Sequence, residues 1–137
     1  MPYDPVLVAD TKAWMAKAAS DLRAGAHELT ASPPFTGDAV FHAQQAAEKA
    51  LKGLLVWHDV PFRKTHDLTE VGQACVEIDA SLAPLLRSAA ELTQYVWRYR
   101  YPGEPGEPTM TEAEEALALA RRVYEAILTR LPQEVTP

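Results

Sequence analysis

Apolar residues recur along this chain at intervals of three and four, and no useful stretch alternates at the interval of two that a half-buried strand requires. The clearest pattern lies between Phe41 and Leu68. On a helical wheel Ala43, Ala46, Ala47, Ala50, Leu51, Leu54 and Leu55 share one half of the surface, while Gln44, Gln45, Glu48, Lys49 and Lys52 fill the other. Alanine adds little bulk, so a neighbouring helix can approach this face closely. The stretch from Asp38 to about His58 therefore reads as the central helix of a bundle, and a bulky residue at Ala47 or Ala50 is expected to overpack it.

The other elements follow from spacing and punctuation. From Asp10 to about Leu29, residues Trp14, Met15, Ala18, Ala19, Leu22, Ala26 and Leu29 keep helical intervals, with Asp10 or Thr11 available as N-cap. The run ASPPFTG ends that helix, because two prolines and a glycine cannot continue it. Val60 to Thr65, containing Pro61, reads as a loop, and Asp67 with Glu70 has capping-box spacing for a short helix through Val76. Leu82, Leu85, Leu86, Ala89, Ala90, Leu92, Thr93 and Val96 mark a fourth helix, with Pro84 in its first turn and an end near Arg98. YRYPGEPGEP is expected to be irregular. Thr111 and Glu114 then form a capping box for a fifth helix through Leu128, and the closing PQEVTP is expected to fray. Short connections favour antiparallel neighbours, so the expected fold is all-α: an up-and-down antiparallel bundle of four long helices and one short one. It forms a single domain over residues 1–137 with its core at about 8–131.

Composition narrows the class. At 137 residues, with 47% hydrophobic and 23% charged residues, the chain can bury a core without disulfides and is not a disordered tail. No run approaches a membrane span, the start does not look like a signal peptide, and the single Cys75 cannot form an internal disulfide, so a cytoplasmic location is expected. A net charge of −6 opposes extended nucleic-acid binding, which depends on many lysine and arginine contacts to phosphate. Residues 42–66 form the one positive segment, at +2.

That segment holds most of the candidate chemistry. Lys49 and Lys52 lie on the polar half of the central helix, Arg63, Lys64 and His66 follow it, and a bundle can bring Arg98 and Arg100 alongside. Together they would suit the phosphate of a nucleotide, lysine as point charge and arginine as bidentate fork. The alternative for the lysines is a solvated helix face on which Glu48 and Lys52 pair. Gln44 and Gln45 are candidates for hydrogen bonds across a helix or dimer interface, or to a base. His66 is either an acid or base near neutral pH or a structural residue at a helix start capped by Asp67 or Thr65. The cluster Tyr95, Trp97, Arg98, Tyr99, Arg100 and Tyr101 suits a stacking surface or a protein interface, with Trp97 and Tyr101 as interface candidates. The histidines lack metal-ligand spacing and there is no glycine-rich phosphate loop or serine elbow, so neither a metal nor a cofactor is expected.

The run FHAQQAAEKALKGLL, followed by a loop and KTHDL, with RYP at Arg100 to Pro102, resembles the HEPN family of small prokaryotic helical domains across essentially the whole chain. The resemblance implies a homodimer and one of two functions. Many HEPN domains act with a small nucleotidyltransferase, as a nucleotide-binding partner or as toxin to its antitoxin. Others are ribonucleases that use an arginine, four to six intervening residues and a histidine, joined across a dimer. This chain departs from the second pattern. The required positions are Gly103, Glu104 and Pro105 after Arg98, and Pro105, Gly106 and Glu107 after Arg100, and no histidine follows His66. Arg23 and His27 have three residues between them and lie in the first helix. The expected function is thus binding of a nucleotide or similar anion, with Lys49, Lys52, His66, Arg98 and Arg100 as ligand contacts and no catalytic residue, beside a nucleotidyltransferase. The alternatives are an RNA-cleaving toxin that uses His66 with Arg98 or Arg100, and a pure protein-interaction module.

Overall fold

A computed structural model describes residues 2–99 and 106–137, the side chains of Val96, Trp97 and Tyr99 excepted. The helices within these residues are α1 (Pro5–Glu28), α2 (Thr36–Trp57), α3 (Leu68–Ile78), α4 (Ala83–Ala89), α5 (Glu91–Tyr99) and α6 (Met110–Leu128), and no strand occurs among them. Helix α2 is the axis of the bundle and packs against α1, α3, α5 and α6. Its alanines explain how. Ala43, Ala46, Ala47 and Ala50 are 0% exposed, as are Leu51, Leu54 and Leu55. Small residues also set the approach of α1: a Cβ on Gly53 would come within 2.8 Å of the Met15 sulfur. No described helix is long and apolar enough to cross a membrane.

The element ends refine the sequence reading. Helix α1 begins five residues before Asp10, because Asp4 accepts the Val6 N–H at 2.9 Å and Pro5 occupies the first turn, where its missing N–H costs nothing. The expected fourth helix is two pieces. At Ala90 the backbone tightens, the Thr93 N–H bonding to the Ala90 carbonyl at 3.3 Å, and the Thr93 hydroxyl oxygen accepts the Leu68 N–H at 3.3 Å, which ties the second piece to the start of α3. Asp67 caps α3 through Thr69, but the Glu70 carboxylate turns to Arg63, and the Asp67 N–H bonds to the Thr65 hydroxyl at 3.1 Å. The box that opens α6 is Thr109 with Glu112, closed in both directions at 3.1 and 3.0 Å, and not Thr111 with Glu114. At the C-terminal end a 3₁₀ turn at Gln133–Val135 packs on α1 with Val135 wholly buried.

Candidate functional site

Gln44, Glu48 and Lys52 are four residues apart and so form one stripe along α2. They are 2%, 2% and 8% exposed. This corrects the expectation of a solvated polar half, and the cause is the enclosure of α2 by four other helices. Buried polar groups need partners, and this stripe finds them in the chain that leads into α3. The Gln44 amide donates to the His66 carbonyl at 2.9 Å, and Lys52 Nζ donates to the Thr65 carbonyl at 3.0 Å and to Glu48 Oε1 at 3.2 Å. The backbone at Thr65 and His66 belongs to no helix, so these side chains supply the bonds it would otherwise lack. The Lys52 ammonium also lies 5.8 Å from the Trp14 ring centre and 5.5 Å from that of Phe62, within reach of cation–π attraction.

His66 completes the arrangement. Its Nδ1 lies 2.9 and 3.2 Å from the two Glu48 oxygens, although its side chain is 80% exposed while that of Glu48 is 2%. The buried carboxylate thus holds one edge of the ring, and the edge bearing Nε2 faces solvent.

The remaining sequence candidates are distributed as follows. Lys49 is engaged by Asp21 at 2.6 Å, which joins α2 to α1, so Lys49 and Lys52 serve different contacts. The Gln45 side-chain amide donates to the Gln44 side-chain oxygen Oε1 at 2.7 Å and thereby orients the Gln44 amide toward His66. Arg98 is exposed on α5. Arg100 and Tyr101 lie outside the described residues, as does the side chain of Trp97. Arg63 forms a two-pronged bridge to Glu70 at 2.7 and 2.9 Å. The sequence reading did not assign the roles of Asp21, of Glu48 toward His66, or of the Thr65 and His66 carbonyls. Its available signal was a glutamine, a glutamate and a lysine at successive intervals of four among alanines.

Two other groups are structural. Cys75 is fully buried and donates to the Leu51 carbonyl at 3.4 Å, and burial pushes its thiol up to about 12, so it is no nucleophile near neutral pH. Asp79 is held down to about 2, first by the Ser81 hydroxyl and then by Arg130, and it caps the turn before α4. A cleft of about 580 Å³, lined by Phe35, Phe41, Tyr95 and Glu107 among others, opens at the N-terminal end of α2. Two of its lining residues, Val40 and Phe41, precede Gln44, the first residue of the stripe, by about one helical turn. Among the described residues no three His, Cys, Asp or Glu side chains gather as a metal set.

Comparison with known proteins agrees with this architecture. The family model described as HEPN domain matches residues 11–131. The crystal structure of an archaeal HEPN homologue has a TM-score of 0.71 with this chain at 26% identity, over 88% of this chain and 96% of that one. No curated protein matches the sequence.

Proposed function

The chain belongs to the HEPN family, and from that premise we propose that it binds a nucleotide or similar anionic ligand and acts, as a homodimer, with a nucleotidyltransferase partner in a toxin–antitoxin-like pair. The observation that carries the reading is the exposed His66 ring, held by a buried acid on the one net-positive segment of an acidic chain. A solvent-facing side chain fixed by fully buried groups is preorganised for a ligand, because less freedom is lost on binding. In this reading His66, Lys64, Arg98 and Arg100 meet the ligand. Lys52 and Lys49 hold the frame, since Glu48 and Asp21 already engage their charges. The lack of a histidine separated from Arg98 or Arg100 by four to six residues supports binding over cleavage.

Calorimetric titration of ATP into the wild type and into a His66→Ala, Arg100→Ala double variant tests this. Binding weakened by at least about tenfold is expected, equivalent to two modest hydrogen bonds. Equal binding by both proteins, or none by either, removes the proposed site. Co-purification with a small nucleotidyltransferase tests the partner, and its loss on Trp97→Ala without loss of nucleotide binding would point to the aromatic cluster as the partner surface.

One observation favours a second reading, RNA cleavage, because a carboxylate-held imidazole is also what an acid or base requires. It predicts cleavage of purified RNA that disappears with His66→Ala. RNA that survives incubation with the wild type ends it.

A further inference from the structure

Glu48 is enclosed by the bundle at 2% exposure, and its carboxylate is divided between Lys52 Nζ at 3.2 Å and His66 Nδ1 at 2.9 Å. A carboxylate only accepts hydrogen bonds, so a neutral His66 ring must carry its proton on Nδ1 to satisfy it. Nε2 is then a bare lone pair presented to solvent. The backbone on either side is pinned, the Thr65 carbonyl by Lys52 and the His66 carbonyl by Gln44. The ring cannot swing away without leaving the buried Glu48 short of a partner, at a cost that keeps it in place. The other charged groups on this turn are Arg63, which is bridged to Glu70, Lys64, which is exposed, and Asp67, whose Oδ1 accepts the Thr69 N–H at 2.9 Å.

We propose that Glu48 is a positioning residue that sets His66 as a hydrogen-bond acceptor, and that the ligand group His66 receives is a hydroxyl, such as those of a ribose, rather than a phosphate oxygen. The inference rests on the nucleotide reading above and orients the ligand within it. Against the neutral ring, a phosphate oxygen on a nucleotide has no hydrogen to offer above pH 7 and would confront the Nε2 lone pair with its own. The sugar therefore lies over His66, and the phosphates extend toward cationic groups such as Lys64, two residues earlier in the chain.

The test combines imidazole nitrogen NMR at pH 8 with titrations of ATP and 2′,3′-dideoxy-ATP into wild type and His66→Ala, an exposed position whose truncation leaves Glu48 bonded to Lys52. The expected spectrum shows the Nδ1–H tautomer in the wild type and a shift toward Nε2–H in Glu48→Gln. His66→Ala is expected to weaken ATP about fivefold to tenfold, the scale of one hydrogen bond, and to leave dideoxy-ATP unchanged. An Nε2–H tautomer in the wild type overturns the positioning role. Equal weakening of both nucleotides overturns the hydroxyl assignment while the nucleotide reading stands. Binding of neither nucleotide to the wild type overturns that reading and the hydroxyl with it, and the role of Glu48 is then decided by the spectrum alone.

Discussion

At residue scale the decisive fact is that the polar stripe of α2 points inward. Burying a lysine and a glutamate together is close to neutral when both are fully bonded, but removing one partner strands the other. Lys52→Ala is therefore expected to destabilise the protein by about 3 kcal/mol, whereas Glu48→Leu combined with Lys52→Met should recover most of that loss. His66→Ala removes one of the two side chains that bond Glu48 and leaves Lys52 in place, so it should cost less, about 1 to 2 kcal/mol. Urea unfolding of the three variants checks the order, and a Lys52→Ala loss as small as that of His66→Ala would mean the buried pair does not brace the turn. The sequence made the spacing of Gln44, Glu48 and Lys52 visible, yet periodicity reports only which direction a side chain points. It does not report what lies there. With four helices packed on α2, the Gln44, Glu48 and Lys52 stripe that a wheel diagram leaves to solvent is covered, and only the packed bundle reveals that Thr65 and His66 supply the partners.

At the scale of elements, the long helices were legible because alanine and leucine periodicity is strong, and the ends were not because competing signals sit within two residues of each other. Thr109 and Thr111 each precede a glutamate by three positions, but it is Thr109 that closes the box. Thr109→Ala should cost about 1 kcal/mol and Thr111→Ala only a few tenths, a difference readable from thermal unfolding. The reverse order would place the start of α6 where the sequence first suggested it. A second junction binds the turn before α4 to the end of α6, where Arg130 Nε meets Asp79 at 2.6 Å and its other nitrogen meets the Ser81 hydroxyl at 2.9 Å. Asp79 is depressed to about 2 in the folded chain, so its contribution is fully present above the ordinary aspartate range and is lost as pH falls toward about 2. Because Ser81 is the larger cause, Arg130→Ala should raise the Asp79 midpoint but leave it below that of a free aspartate. Carboxyl NMR titration measures this directly, and a midpoint at the free-aspartate value would assign the whole depression to Arg130.

For the whole molecule, the positive segment that drew attention in the sequence is largely neutralised by folding. Lys49 meets Asp21, Lys52 meets Glu48, and Arg63 meets Glu70, each through a bond of 3.2 Å or less. Summed charge along a chain could not disclose this, since Asp21 lies in a different helix and Lys52 is inside the core. What the segment still offers to a ligand is Lys64 and the His66 ring, with Arg98 and Arg100 as the proposed additions from the far end of α5. Set against a net charge of −6, the small set of cations proposed for the site suits a compact anion better than a long strand. Each phosphate neutralised on a single strand contributes about −0.7 to the slope of log affinity against log salt. The nucleotide complex, and any complex with single-stranded RNA, should therefore show a slope no steeper than about −2. Fluorescence anisotropy of a labelled oligonucleotide and of a labelled nucleotide across a salt series provides both slopes. A value beyond about −4 for the oligonucleotide would require six or so phosphate contacts, more than this surface supplies, and would indicate an extended RNA track formed by a second copy of the chain.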